Sequence, residues 1–457
     1  MKLNYILSLT ILFSISISSA QEIIVIDNSS PESQTATCTL PITNYSSDTY
    51  IPMRESVKTR IENRIMPCAT INVNYINFPT NVINPSLPGP EQAAFQVAVD
   101  IWSNLIDSPV PITINANWTN LGASTLGSAS AEFFAEIPGG GTNTLYPAAL
   151  AEKIIGAEIN GPNSVDITCN FNSQFSNWFF GDGVNDENDI ASNEFDFISV
   201  VLHELGHGLG VAGFGIRIGN GSTSPFQGNI RRDVTGDFLP PNAQYFSIWD
   251  TYIDAPSIFG LPQTILDENN YPDPSDVMLA AFTGNGLTCN SPIAVAQNGG
   301  IAPKTFAPTN FNPGSSYSHW DESTFNGTPN ALMTPQFGQG EVIQDPGNIT
   351  LGFMEDMGWT LCQGSLSTND FALENIKVSP NPFTNSITIE LPPQIANQEF
   401  NIRIVDINGR IMNTTDSEIR SGEITISNLS NLKNALYFLN IESTTSDLSI
   451  TKKIIKR

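Results

Sequence analysis

Ala69-Thr70-Ile71-Asn72-Val73-Asn74-Tyr75-Ile76 sets an apolar side chain at every second position, the period of a half-buried strand. After a Pro-rich turn the period lengthens. Ala93, Ala94, Val97, Ile101, Trp102 and Leu105 recur at helical spacing between Gln92 and Ile106. Ile112 to Ala116 alternates again as a second strand, Tyr146 to Ile155 predicts another helix, and Val165 to Phe171 a third strand. Strands interleaved with helices predict an α+β domain in which helices cover a twisted mixed sheet. The stretch before it, 21–67, is rich in Ser and Thr with little periodicity, and is expected to be a pro-segment or flexible N-terminal region.

The pattern changes beyond a short polar break at Gln363–Phe371. Short alternating runs at Ile387–Leu391, Ile402–Ile404, Ile424–Ile426 and Leu436–Ile441 are separated by Asn-Gly, Ser-Gly and Asn-rich turns, which predicts a small antiparallel β-sandwich. At the other end, Lys2, an apolar run from Ile6 to Ile17 and the small residues Ser18-Ser19-Ala20 have the form of a signal peptide cut near Gln21. That apolar run is too short to span a bilayer comfortably, and no later run is long enough.

With 457 residues the chain is expected to hold two or three domains, and a hydrophobic content of 40% is enough for a sizeable core. The net charge of -26 argues against nucleic acid as a partner, because a polyanion would be repelled. The acidity belongs upstream: from Asn375 onward eight acidic residues face nine basic ones. Five cysteines are compatible with one or two disulfides in an oxidising compartment, with at least one thiol left over.

The chain has three histidines, and two of them sit in His203-Glu204-Leu205-Gly206-His207. Four residues apart on a helix, the two imidazoles share a face and can reach one ion. Neutral imidazole nitrogen suits Zn²⁺, and Glu204 lies where it can take a proton from a metal-bound water. Phe197, Val200, Val201, Leu205 and Leu209 form the apolar stripe of that helix, with Asn193 as its cap. Gly206, Gly208 and Gly210 each weaken it by roughly 1 kcal/mol, so it is expected to stop near Gly210.

The extended motif resembles that of the metzincin metallopeptidases, which place a third histidine three residues after the glycine that matches Gly210. Here that position is Gly213, which cannot bind metal, so a compact metzincin site is excluded. The leishmanolysin-like branch has an insertion there, and its third histidine comes much later. The chain is similar: Gly314-Ser315-Ser316-Tyr317-Ser318-His319-Trp320-Asp321-Glu322 carries the remaining histidine, 112 residues beyond His207. Asn330-Ala331-Leu332-Met333-Thr334-Pro335 looks like the methionine turn beneath the zinc, and Leu351–Trp359 like the closing helix. The resemblance implies Zn²⁺ on His203, His207 and His319, with a zinc-activated water and Glu204 as general base. It implies a secreted zinc endopeptidase acting on protein or peptide substrates. The alternative is a non-catalytic surface adhesin or binding protein on the same scaffold, and a hydrolase of other bonds ranks third.

The domains expected are a signal peptide at 1–20, the region 21–67, a metallopeptidase domain at 68–364, a linker at 365–374 and the sandwich at 375–457. The insertion, about 215–312, is expected to form a lid or side subdomain. Asp233 and Asp237 offer a carboxylate as a rival third ligand, ranked below His319. Tyr317 is a possible further donor. The oxygen-rich turn Gly181–Asp189 lacks EF-hand spacing, so a solvated acidic loop is expected there and Ca²⁺ is the alternative. Cys38 or Cys68 could cap the zinc in a latent precursor, but a disulfide is favoured for either.

Val378-Ser379-Pro380-Asn381-Pro382-Phe383, Ile404–Arg410, Ala435–Ile441 and the basic end Thr451–Arg457 resemble the sorting domain of type IX secretion substrates. That resemblance implies handling by the type IX machinery and export through the periplasm and outer membrane, to be released or held at the surface.

Overall fold

The computed structural model describes residues 24–27, 38–84, 86–162, 164–184, 186–233, 244–256, 260–362, 376–391, 400–406, 410–417, 423–443 and 449–457. The expected signal peptide, the linker, Asn185, Asp237 and the Asn408-Gly409 turn lie outside these. The chain mixes α and β and is mostly β, with two separate apolar cores. Among the described residues no helix is long and apolar enough to cross a membrane.

The larger part is organised on a five-stranded sheet. Its strands in chain order are β1 (Cys38–Pro41), β2 (Ile71–Ile76), β3 (Ile112–Thr119), β4 (Thr125–Ala131) and β5 (Ile167–Asn172). Their order across the sheet is β1-β4-β5-β3-β2. The three strands β5, β3 and β2 run parallel, whereas β4 is antiparallel to β5 and β1 antiparallel to β4. Four helices matter for the site: α1 (Pro90–Ser103), α2 (Ala148–Ile155), α3 (Phe197–Gly208) and α4 (Asn348–Met357). The predicted strands and helices of this part are all present, with ends shifted by a few residues.

Four expectations change. The region 21–67 is not a loose lead-in where it is described, since β1 completes the central sheet and Glu55–Glu62 is a helix. The pattern misses this because Thr39 and Pro41 suit an edge strand more than a core one. The cap of α3 is Asp196, whose carboxylate accepts from the Ile198 and Ser199 amides, and not Asn193. The insertion shares the main core through Ile253, Met278, Phe282, Leu287 and Ala294, so it is no separate subdomain. The disulfide favoured for Cys68 is present, with Cys362, but the one favoured for Cys38 is not: Cys38, Cys169 and Cys289 are free thiols.

The C-terminal part is the sandwich expected. One sheet joins β6 (Lys377–Ser379), β7 (Ile387–Glu390) and β10 (Glu423–Ile426). The other joins β8 (Phe400–Asp406), β9 (Ile411–Ser417), β11 (Leu436–Ser443) and β12 (Ser449–Ile455), all antiparallel. Alternate residues such as Ile387, Ile389, Ile402, Ile404, Leu439 and Ile441 point into its core. Its two terminal motifs are knitted together: Asn381 donates to the Lys453 carbonyl and accepts from the Ile455 amide, and buried Phe383 lies 5.9 Å from Lys456 Nζ.

Candidate metal centre

Helix α3 is buried along its whole length, packed against α1 and under β4. That packing explains two of its glycines better than helix termination does. A side chain at Gly206 would meet the Met333 sulfur at 2.7 Å, and one at Gly208 would collide with Ile167. The helix ends after Gly208, and Gly210, at φ +124°, turns the chain away. Met333 is thus held directly beneath the helix, and its carbonyl accepts from the Trp320 amide beside His319. The Trp359 indole, just past α4, donates to the Leu209 carbonyl at the helix end.

The fold brings the three histidines to one point. The Nε2 atoms of His203 and His207 are 3.0 Å apart, those of His207 and His319 3.1 Å, and those of His319 and His203 3.3 Å. Each Nδ1 lies against a main-chain carbonyl: His203 on Leu332 at 2.6 Å, His207 on Val211 at 2.7 Å and His319 on Ser315 at 2.7 Å. A carbonyl only accepts, so each Nδ1 carries the hydrogen and each Nε2 presents a bare lone pair. Burial pushes the imidazoles down, His203 to about 4, and the mutual proximity of the rings lowers His207 and His319 further. Three neutral lone pairs facing one another repel unless a cation stands between them. Tetrahedral zinc at 2.0–2.1 Å from each nitrogen would separate them by about 3.3 Å, close to the spacing present. Among the described residues this is the only convergence of three or more ligating side chains.

Glu204 follows His203 on α3, on the side of the helix that meets β4. Its carboxyl is fully buried, burial raises its pKa, and neither oxygen has a hydrogen-bond partner among the protein atoms. The wall above it is β4, where a Cβ at Gly127 would stand 3.1 Å from Glu204 Cγ and Oε1. Gly127 was missed from sequence, although an isolated glycine in a strand is the usual signal of such close approach. Phe337 lies edge-on to His203 at 5.6 Å and closes another side.

Other sequence candidates fall elsewhere. Tyr317 is buried with its ring against Phe282 and its hydroxyl beside Asp250, and burial first, then the Asp250 charge, holds its pKa up. It serves the packing of the insertion. Asp233 has no described side chain, and Arg231 pairs with Asp273 at 3.4 Å. In the acidic turn Asp186 is buried and accepts from the Asp182 and Gly183 amides and from Gln344. Its carboxylate closes the loop, so this member of the turn is not solvated. Cys68 is taken by its disulfide, whereas Cys38 lies beside Ser318 and within reach of the Glu204 charge, its thiol pKa pushed up mainly by burial.

The family model described as the secretion system C-terminal sorting domain matches residues 377–457. A second, described as SPBPB7E8-like, matches residues 27–239, a span that holds His203 and His207 and ends before His319. No curated protein sequence matches the chain. Among solved structures, the chain is similar to PorZ, described as an essential bacterial surface component of the type IX secretion system of Porphyromonas gingivalis. The identity is 22% over 22% of this chain, with a TM-score of 0.17, and the match spans 14% of PorZ. It is also similar to a DUF3244-family protein with an immunoglobulin-like β-sandwich from Bacteroides vulgatus. There the identity is 26% over 18% of this chain and 83% of that one, with a TM-score of 0.16. Residues 377–457 are a type IX secretion sorting domain, and this chain is exported by that route to the cell surface or extracellular space.

Proposed function

We propose that the chain is an exported zinc-dependent endopeptidase with a metzincin-like catalytic domain. His203, His207 and His319 would hold the metal and Glu204 would be the general base. The observation that carries this is the meeting of three bare Nε2 lone pairs at 3.0–3.3 Å. When bound, zinc supplies Lewis acidity toward a peptide carbonyl and lowers the pKa of water. The Leu332, Val211 and Ser315 carbonyls fix the tautomers and aim the rings. Glu204, with both oxygens unpartnered and its proton affinity raised by burial, suits a base that accepts a proton and returns it to the leaving amine. The alternative, a non-catalytic surface binding protein, gives no reason for an acid with two bare oxygens beside the histidines.

The test is zinc content and casein hydrolysis on the full chain, before and after limited proteolysis. About one zinc per chain is expected in wild type and in Glu204→Gln, with hydrolysis in the variant lower by roughly 10²–10⁴-fold. His319→Ala should weaken zinc by more than the roughly 10–100-fold that outer-sphere changes cost. A chain that takes up no zinc when it is supplied overturns the reading.

A further inference from the structure

His203 and His207 are placed by one helix, but His319 arrives 112 residues later on a loop outside any helix or strand. Tertiary contacts therefore have to set where its ring points. We infer that Asp250 and Tyr317 are positioning residues for the metal: Asp250, from the insertion, holds Tyr317, and Tyr317 sets the direction in which His319 enters the site. This rests on the zinc reading above and adds to it what fixes the distant ligand.

Tyr317 stands two residues before His319 at φ +79°, a left-handed conformation that a bulky residue rarely adopts unless its surroundings impose it. The surroundings do so from several sides. Its ring packs on Phe282 at 4.9 Å, and its hydroxyl lies beside Asp250. Its amide donates to the Phe306 carbonyl, and the Phe306 amide donates to the His319 carbonyl, both at 2.8 Å. The main chain on either side of Ser318 is thus clamped to one residue. His319 Nδ1 then closes the turn on the Ser315 carbonyl at 2.7 Å. A Tyr317 that relaxed from its left-handed conformation would swing this short segment, and the His319 ring with it.

Asp250 comes from a short 3₁₀ turn of the insertion, Trp249–Tyr252, and is fully buried. Its carboxylate accepts from the Phe214 amide at 3.2 Å and from the Ser247 amide at 2.7 Å. Arg232 donates to the Phe214 carbonyl and sets its guanidinium 5.4 Å from the centre of the Phe214 ring, so Phe214 is held from both sides. The residue before it is Gly213, which stands where a compact metzincin would have its third histidine. Packing requires that glycine here: a Cβ would collide with Trp249 and Tyr317 and stand 2.7 Å from Asp250 Oδ1. The Gly213 amide also donates at 3.0 Å to Ser318 Oγ, on the residue between Tyr317 and His319. The space beside Gly213 is therefore filled by the insertion, and the groups that fill it touch the loop that brings His319 to the site.

The test is the zinc affinity of the full chain, by competition with a chelator, together with the visible spectrum of the Co²⁺-loaded chain, which reports the geometry of the metal's ligands. Tyr317→Phe removes only the hydroxyl. Asp250→Asn keeps the shape and puts a donor where an acceptor stood; if it misfolds, Tyr317→Phe carries the test alone. Ile265→Ala empties a fully buried position of the insertion that makes none of these contacts, and controls for general loosening. Zinc is expected to bind roughly 10–100-fold more weakly in each of the first two variants, with an altered cobalt spectrum. The double variant should be no weaker than the worse single one, because both changes act through one joint. Ile265→Ala should melt earlier yet hold zinc and cobalt as wild type does. Folded Tyr317→Phe or Asp250→Asn chains with wild-type zinc affinity and cobalt spectrum overturn the inference. So do single losses that simply add, and so does an Ile265→Ala chain that loses zinc as heavily as the other two. No readout here involves hydrolysis: a wild type that binds zinc and cuts nothing sinks the peptidase reading alone, whereas one that binds no zinc overturns both.

Discussion

The two cores of this chain are built on opposite principles. Upstream, His203, Glu204, His207, His319, Asp166, Asp196 and Asp250 are all buried, interleaved with Trp102, Trp249 and Trp320. In the sorting domain the core is Ile, Leu, Phe and Tyr, and Lys456 is its one buried charged residue among those described. Burying a polar group without a partner costs roughly 1–3 kcal/mol, and more for a charge. The upstream part can bear that cost because most such groups are answered individually: Asp196 by the α3 amides, Asp250 by the Ser247 amide, each histidine by a carbonyl. Glu204 is the one whose two carboxyl oxygens are both left unanswered. The sandwich buries almost no polar groups besides Lys456 among the described residues.

Breaking the metal should separate the two parts most sharply. A chelator is expected to abolish hydrolysis and lower the upstream melting transition, by about 4 kcal/mol relative to a chain held at a thousand-fold excess of free zinc over its Kd. The sandwich transition should not move, which calorimetry can resolve. If both transitions shift together, the cores are not independent. The converse break is smaller. Leu439→Ala empties a fully buried position in β11 and should cost the sandwich roughly 3 kcal/mol. Zinc content and the upstream transition should be unchanged.

This contrast also decides what was legible beforehand. The sandwich strands with one apolar face, such as Ile402–Ile404, were plain from alternation. β9 and β12 were not, since Asn413-Thr414-Thr415 and Lys452-Lys453 break the alternation. His203 and His207 were readable because four-residue spacing on a helix is local, and His319 because histidine is otherwise absent. Hidden were the contacts made over long stretches of sequence. β4 is Thr-Leu-Gly-Ser-Ala-Ser-Ala, weak as a strand by propensity, yet its small side chains are what allow α3 to approach. The place of β1 in the sheet depends on Ala129 and Gly314, 91 and 276 residues on, and no local pattern carries that. Asp196 and Asn193 both satisfy the cap rule, and only the fold chooses between them.

The smallest test concerns the buried acids that serve no metal. Asp166 and Glu152 face each other inside the upstream part, with Glu158 close by. The Thr113 amide donates to Asp166 at 2.7 Å and the Ile159 amide to Glu152 at 3.0 Å, but Glu152 Oε2 and Asp166 Oδ1 have no donor. Burial first, then the neighbouring carboxylates, pushes Asp166 up to about 8, and burial raises Glu152 as well. For an acid whose folded pKa is raised, the native state holds more protons than the unfolded one between the ordinary carboxylate range and about 8. Stability is therefore highest at the acidic end of that window and falls as pH rises through it. Asp166→Asn keeps an acceptor for the Thr113 amide and gives Glu152 a donor, so the slope should flatten. At pH 8 the variant should melt higher than wild type by about 1–2 °C, the shift that 1 kcal/mol gives a part of roughly 300 residues. At pH 5 the two should nearly coincide. A variant that loses stability equally at both pH values would mean that the pair is ionised and held by some other cation, and that the upstream core answers its acids more completely than its geometry implies.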